Sequence, residues 1–290
     1  MRIVLVFLFN YLFCAPAQSP NVSAFAYQLN APSQTLVMPT ELKEVSGISL
    51  SEDGKSLVAV QDEAGTIFYL NKTTGKIEQE VPFWDKGDYE DLAVVGKMIY
   101  VVKSSGTIYE VPQADKNIKK YNFGLDSNND VEGLAYDARN NRLLLACKKQ
   151  AGPEQSNGKR GIYAFDLQKK VLSEGPVYTI ANKEIQSYLN TLPNTDTKAK
   201  LLEDFQSDEM TFAPSAIAVH PQNGNLYLLS AVGNMLLVLD TNGKVLHLEK
   251  LKKKVHLQPE GICFDQDGTM YISNEGKDGE MGKIYVFKAK

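Results

Sequence analysis

The sequence predicts an all-β protein, a five-bladed β-propeller whose blades are four-stranded antiparallel sheets. One motif recurs five times. It begins with a polar or acidic residue, followed in most copies by a small residue and then by an apolar anchor; an alternating strand, a polar turn and a second strand complete it. Successive anchors are 44, 42, 83 and 45 residues apart, and a propeller blade spans about 40–45 residues. Turns rich in Gly, Asn and Asp are typical of antiparallel meanders. The anchors are Ile48, Leu92, Leu134, Ile217 and Ile262.

The first 17 residues have the features of a secretory signal peptide. Arg2 precedes a mostly apolar run at 3–13, and Ala15 and Ala17 provide the small residues of a cleavage site. The run is too short to cross a bilayer, which takes about 20 apolar residues. We therefore expect export to the periplasm or cell envelope. In the alternative, Cys14 is lipidated, and this anchor attaches the protein to the membrane.

Residues 18–39 are expected to form an N-terminal segment that contributes the closing strand of the ring. The alternating run at 34–38 is the candidate. A strand from the start of the chain that pairs with the last blade covers an otherwise open edge. The propeller domain then covers residues 40–290.

The blades follow the motif copies in order. Blade one is predicted at 46–81, blade two at 88–123 and blade three at 130–180. Each of these contains four short runs rich in β-branched and aromatic residues, which favour strands. Blade four begins at 216, and blade five ends at 287.

A short helical insert near residues 182–206 explains the long interval between the third and fourth anchors. Ile185 and Leu189, and further on Leu201 and Phe205, recur at helical spacing. Blade three already has four predicted strands before this segment. In the alternative, the insert contains a degenerate sixth blade.

Composition excludes several classes of function. The 290 residues are 43% hydrophobic and 23% charged, with a formal charge of −4, as in an ordinary globular protein. Nucleic-acid binders carry a clustered basic surface, and the densest basic run here, 250–254, is short and typical of a solvated loop. No phosphate-binding glycine loop is present. We expect a monomer that does not bind nucleic acid.

Residues at one repeat position of a propeller converge on its central channel, because the innermost strand of every blade lines it. Carboxylates gathered there raise each other's pKa unless a cation, a basic side chain or water compensates. Calcium, which takes about six to eight oxygen ligands, is the natural compensator. The glutamates at this position, Glu90, Glu132 and Glu260, are therefore candidate metal ligands. In the alternative, they accept backbone hydrogen bonds and only connect the blades. The position holds Ser46, Glu90, Glu132, Ser215 and Glu260.

A second polar ring is predicted at one mouth of the channel, where the second strand of each blade ends. Its residues carry both charges, which suits a small polar ligand or a set of salt bridges. Lys103 and Lys148, which we place at equivalent positions, are candidates to offset the carboxylates. The ring contains Asp62, Glu63, Lys103, Lys148, Ser230 and Glu275.

No residue pattern predicts a catalytic nucleophile. His220, His247 and His256 fall in a turn, an outer strand and a loop, without the spacing of metal ligands. Cys147 and Cys263 lie among apolar residues of predicted strands. They are either two buried thiols or, in an exported protein, a disulfide.

In their order along the chain, the five motif copies resemble those of the SdiA-regulated (YjiK-like) β-propeller proteins of bacteria. The resemblance covers about residues 40–290 and includes the runs 89–92, 131–136 and 259–262. It implies an exported or membrane-associated propeller with calcium as a candidate ligand. It also implies a distant relation to phytase-like and gluconolactonase-like propellers, without an established reaction.

On the basis of this resemblance, Glu90, Glu132 and Glu260 keep the channel carboxylates of the family. The chain departs from the family at Ala231, where relatives tend to carry an acidic residue. It departs again at Lys149, where they often have Glu.

Two functions from different classes follow from these residues. The first is a non-catalytic exported propeller that binds calcium, a small ligand or another envelope protein at its acidic channel. The second is a metal-dependent hydrolase, a phytase-like phosphoesterase or a lactonase, that uses the same channel. The sequence favours the first, because few bases are available to activate water.

Overall fold

The computed structural model describes residues 25–114, 117–152, 158–207 and 209–290. The predicted signal peptide and Cys14 lie outside these residues. Within the described ranges, no helix is long and apolar enough to cross a membrane.

The described chain forms five antiparallel sheets that radiate as the blades of a propeller. A strand, β1 (Gln34–Val37), and a 3-10 helix, Thr40–Leu42, precede them. Blade one consists of β2 (Val45–Leu50), β3 (Ser56–Gln61), β4 (Thr66–Asn71) and β5 (Ile77–Pro82). Blade two consists of β6 (Tyr89–Val95), β7 (Met98–Lys103), β8 (Ile108–Pro112) and β9 (Lys119–Tyr121).

The remaining blades follow the same up-and-down order. Blade three consists of β10 (Val131–Asp137), β11 (Arg142–Cys147), β12 (Lys159–Asp166), and the short β13 (Val171–Leu172) and β14 (Tyr178–Ala181), which both pair with β12. Blade four consists of β15 (Ala216–Val219), β16 (Leu226–Ser230), β17 (Met235–Leu239) and β18 (Val245–Lys250). Blade five contains β19 (Pro259–Phe264), β20 (Met270–Asn274) and β21 (Lys283–Phe287).

Two features close the ring. The outer strand of blade five is β1, which pairs antiparallel with β21 so that Leu36 lies opposite Ile284. A hydrophobic cluster also fills every interface between consecutive blades. The cluster between blades five and one joins Tyr271 to Leu57 and Phe68. The predicted five-bladed propeller is confirmed, and the alternative of six blades does not occur.

The apolar anchors pack between blades. Ile217 lies in the cluster shared with blade three, whereas its neighbours Ala216 and Ala218 lie in the cluster shared with blade five. This is the alternation of a strand that is buried on both faces. All five anchors are at most 3% exposed. Each copy of the sequence motif therefore contributes an equivalent apolar residue to the core between blades.

The predicted helical insert is confirmed as two helices, α1 (Asn182–Thr191) and α2 (Asp196–Asp204). The side chain of Thr195 caps α2 by accepting a hydrogen bond from the Lys198 amide. Ile185 and Phe205 join the cluster between blades three and four. Because α1 contacts the outer strands β14 and β18, the insert lies against the rim of the propeller.

Cys147 and Cys263 are both free and buried. They belong to different interfaces, that of blades two and three and that of blades five and one. Of the two alternatives, the structure shows buried thiols.

Candidate ligand site at the acidic channel mouth

The innermost strands of the five blades surround a central channel. Each contacts the innermost strand of the next blade, and β19 of blade five contacts β2 of blade one. Residues from all five strands line a cavity of about 280 Å³. The first ring lies where these strands begin, at one end of the channel that we call the acidic mouth. It contains Ser46, Glu90, Glu132, Ser215 and Glu260.

β-Bulges present the three glutamates of this ring. Glu90 lies between Tyr89 and Asp91, which pair with consecutive residues of β7, so Glu90 has no partner of its own. Glu132 and Glu260 are likewise the extra residues in β10 and β19. A bulge bends the strand and redirects the side chain, and bulges are frequent beside functional sites. The same β-bulge therefore places all three glutamates at equivalent positions in their blades.

Lys148 balances the charge of Glu132. Its ammonium group donates a hydrogen bond to Glu132 Oε1 at 2.8 Å. Burial lowers the pKa of Lys148, but the charges of Glu132, Glu260 and Asp130 outweigh burial and raise this pKa above its usual value. Lys148 is thus protonated at neutral pH and is shared by the carboxyl groups around it.

Glu90 and Glu260 form no salt bridge with any described residue. Burial and the charge of Glu132 raise the pKa of Glu90 to about 9. The same two causes raise the pKa of Glu260 to about 8. At pH 7 both carboxyl groups are mostly protonated. A positively charged ligand favours their ionised forms and releases protons as it binds.

Two more carboxyl groups, Asp62 and Glu275, lie where the second strands of blades one and five end. Burial and the charge of Glu44 raise the pKa of both groups. Glu275 accepts a hydrogen bond from Gln258 Nε2, whereas Asp62 Oδ1 is buried without a partner among the described residues. Glu63, also predicted for this ring, is exposed. The mouth therefore has more acidic than basic groups.

Lys103 and Lys148 do not occupy equivalent positions, so this prediction was wrong. Lys103 pairs with Tyr89, and the corresponding pair in blade three is Cys147 with Val131. Lys148 lies one residue further along, and one residue turns a side chain to the other face of a strand. The Lys103 ammonium group lies over the Tyr89 ring, 5.4 Å from its centroid.

The serines of the two rings connect parts of the scaffold. Ser215 Oγ donates to the Pro259 carbonyl of blade five at 2.7 Å. Ser230 Oγ donates to the Val232 carbonyl within a turn. The Ser46 carbonyl accepts a hydrogen bond from blade five. The two predicted ring residues of blade four, Ser215 and Ser230, are therefore uncharged and bind the backbone.

The three glutamates do not form a preassembled calcium site. Throughout the described ranges, no three Asp, Glu, His or Cys side chains come close enough together to hold one metal ion. Lys148 already neutralises Glu132, whereas calcium prefers several ionised oxygen ligands. In this arrangement the residues do not fit a calcium cage, and calcium binding stays a prediction.

Comparison with known protein families identifies the family of this chain. The model of the SdiA-regulated family matches residues 21–277. The chain belongs to the SdiA-regulated family. The resemblance of the five motif copies is thereby confirmed.

Solved structures that share the fold of this SdiA-regulated protein differ in function. Myxococcus xanthus glutaminyl cyclase matches with a TM-score of 0.56 and 11% identity, over 90% of this chain and 96% of that one. A gluconolactonase from Xanthomonas campestris matches with a TM-score of 0.52 and 14% identity, over 85% and 72%. A chain of a nidogen/laminin complex matches with a TM-score of 0.50 and 12% identity, over 79% and 72%. These likenesses show the fold alone, and function must be argued from the site.

Asp88 is a residue of the mouth that the repeat analysis missed. Its charge adds to the burial that raises the pKa of Glu90. Its carboxylate accepts a hydrogen bond from Ser104 Oγ, the residue of blade two that corresponds to Lys148. Alternate residues of an extended chain share a side. Asp88 could therefore have been predicted from its position two residues before Glu90.

Proposed function

We propose that this SdiA-regulated protein is exported to the cell envelope and binds a small, positively charged ligand at its acidic mouth. The observation that supports this most directly is the sharing of one base, Lys148, by the three bulge glutamates. Glu90 and Glu260 have no cationic partner in the described chain. A ligand with an ammonium group supplies the missing positive charge. A basic side chain of an envelope protein is another cation that suits the same groups, whereas calcium would require the three glutamates to rearrange first.

The energetics of the mouth also support a binding role. A carboxyl group whose pKa is higher in the folded than in the unfolded protein destabilises the fold as the pH rises above its unfolded pKa. Glu90 and Glu260 are such groups at pH 7. Strongly perturbed carboxyl groups gathered in a cleft are typical of functional sites, and a bound cation removes the penalty.

Titration calorimetry with calcium chloride and with putrescine tests the proposal. We expect the wild-type protein to bind one of these probes and to release protons, which calorimetry detects in buffers of different ionisation enthalpy. Glu132→Gln and Glu90→Gln should each bind at least about tenfold more weakly, a loss of about 1.4 kcal/mol. Glu174→Gln, an exposed residue between β13 and β14, should bind as the wild type does. The absence of heat and of a thermal shift with both probes would overturn the proposal.

The alternative is a metal-dependent hydrolase, a phosphoesterase or lactonase, that uses the same mouth. The raised pKa of Glu90 favours it, because a carboxyl group that is protonated near neutral pH can act as a general acid. A panel of phosphoesters and lactones, assayed with calcium, separates the two functions. Turnover that falls in Glu90→Gln but not in Glu174→Gln would favour the hydrolase, and unchanged turnover in Glu90→Gln would exclude catalysis at the mouth.

A further inference from the structure

All three histidines of the chain contact one N-terminal strap, residues 25–31, which precedes β1. Alternate strap residues meet one histidine each, as expected for one side of an extended segment. Histidine is the side chain whose ordinary pKa, about 6.5, lies closest to physiological pH. The strap is thus attached through groups that change their charge near this pH. The three contacts are the Phe25 ring with the His247 ring, the Tyr27 hydroxyl with His220 Nε2, and the Leu29 carbonyl with His256 Nε2.

The strap is held to the propeller mainly by side chains. Tyr27 and Leu29 are at most 4% exposed and belong to the hydrophobic cluster between blades four and five. Within the described residues, one backbone–backbone hydrogen bond joins the strap to the propeller, from the Lys290 amide to the Ala26 carbonyl. Segments with few such bonds open locally at a lower free energy than core strands. The side-chain contacts therefore decide whether the strap stays docked.

The hydrogen bonds of His220 require its neutral form. The Tyr27 hydroxyl donates its single proton to the Gly268 carbonyl at 2.7 Å, so His220 Nε2 has to donate to the Tyr27 oxygen, 3.2 Å away. In the neutral ring, Nδ1 then accepts a hydrogen bond from the Gln222 amide. A second proton, on Nδ1, would break this bond and bring two N–H groups face to face.

His256 is also held in its neutral form. Its Nε2 atom donates to the Leu29 carbonyl at 2.7 Å, so Nδ1 of the neutral ring carries no proton. Nδ1 is buried and has no partner in the described part of the chain. The ring is 0% exposed and packs against Tyr285 and Phe287. A proton on Nδ1 would therefore place an unpaired charge in the core, which is costly.

The groups around these two rings do not compensate a positive charge. Burial lowers the pKa of both His220 and His256. The charge of Glu249 acts on His256 in the opposite direction, but burial outweighs it. The other titratable side chains on the elements that pack against the rings are three tyrosines, whose pKa burial raises, and an exposed aspartate beside Tyr27. They are Tyr27, Tyr227, Tyr285 and Asp267.

We infer that the strap is a pH-sensitive latch, docked at neutral pH and released from blades four and five in mild acid. Release hydrates His220 and His256, so both take up the protons that the docked form excludes. Because the released form binds more protons, its fraction should rise by up to about tenfold per histidine for each pH unit below about 6.5. Phe25 and Tyr27 also form a wall of a cavity of about 670 Å³ beside blade four. Release opens this cavity to solvent.

Amide hydrogen exchange of the full chain at pH 7 and pH 5, corrected for the chemical exchange rate, tests the latch. Between these values, we expect the protection of the strap and of the Lys290 amide to fall at least tenfold more than that of β7, which lies in blade two. His220→Gln combined with His256→Gln should remove this difference, because glutamine still donates a hydrogen bond but does not titrate.

The third histidine provides the matched control. His247 Nε2 lies 3.3 Å from Glu249 Oε2 and the side chain is 26% exposed, so a proton is accommodated there without release. His247→Gln should therefore keep the pH dependence of the strap. Glu132→Gln at the acidic mouth should keep it as well.

Proton NMR of the imidazole rings in the wild type gives a readout that does not depend on the folding of the variants. Two of the three rings should titrate below the ordinary value of about 6.5. Titration of all three at or above this value would overturn the inference. Equal loss of protection in the strap and β7, or an unchanged pH dependence in the double variant, would overturn it too.

Discussion

Replacing Lys148 by methionine is expected to destabilise the protein by about 2–4 kcal/mol at pH 7. Removing one partner of a buried ion pair costs roughly 3–5 kcal/mol, and we expect somewhat less here because the Lys148 side chain is 33% exposed. Glu132, only 7% exposed, then has to take up a proton or remain as an uncompensated charge. Methionine keeps the apolar stem of the lysine, so packing changes little.

The effect should depend on pH in a defined direction. The pKa of Lys148 is raised in the fold, so its stabilising contribution is present below the unfolded pKa of about 10.4 and is lost as the pH rises through the folded pKa. In Lys148→Met, the destabilisation should decrease as the pH falls through the folded pKa of Glu132 in the wild type, which burial raises, because Glu132 is then protonated with or without the lysine. It should be mostly lost at about pH 4. Urea denaturation of the wild type and Lys148→Met at pH 7 and at pH 4 measures the destabilisation and its loss at low pH.

The neighbouring residue provides the matched control. Lys149 pairs with Asp130 at 3.0 Å, but its side chain is 59% exposed, and exposed pairs contribute only about 0–1 kcal/mol. Lys149→Met should therefore unfold at nearly the same urea concentration as the wild type. Equal destabilisation by the two substitutions would contradict the placement of Lys148 among the mouth carboxylates.

Gly47→Ala is expected to cost at least about 3 kcal/mol, at the upper end of the range for overpacked cores. A Cβ on Gly47 would lie 2.2 Å from Asp91 Oδ1 and 2.4 Å from Asp91 Cα. The side chain of Asp91 cannot swing away without loss, because it accepts hydrogen bonds from the amides of Leu92 and Leu134 at 2.8 and 2.7 Å. The contact with Cα is a backbone contact, so the inner strands of blades one and two have to separate.

Gly124→Ala is the control for this substitution. Nothing lies within 4 Å of a Cβ at Gly124, and an alanine that fits restricts the unfolded chain, so stability should change by less than about 1 kcal/mol. Circular dichroism during urea denaturation compares the two variants. If Gly47→Ala and Gly124→Ala unfold at the same urea concentration, blades one and two do not approach each other as closely as described.

The fold could be predicted because each blade repeats the same local rules. The anchors, such as Leu134 and Ile262, have to be apolar in every copy, and alternation places them between blades. The insert was visible because Ile185 and Leu189 change the period from two to that of a helix. Such signals are local, so one sequence is enough to detect them.

The candidate site was only partly predictable. The position of the three glutamates follows from the repeat, but the choice of Glu132 as the partner of Lys148 depends on a contact between the start of β10 and the residue that follows β11. The equivalence of Lys103 and Lys148 failed because aligning strand ends does not fix the register to one residue.

Carbon-13 NMR of the glutamate side chains, titrated with pH, tests most directly that the ring gathers these distant carboxyl groups at one mouth. Selective labelling, with Glu90→Gln and Glu260→Gln to assign the signals, makes the measurement specific. We expect a pKa of about 9 for Glu90 and about 8 for Glu260, with both values lower in Glu132→Gln. Titration of both groups near the ordinary value of about 4.3, unchanged in Glu132→Gln, would show that the three glutamates do not share a site.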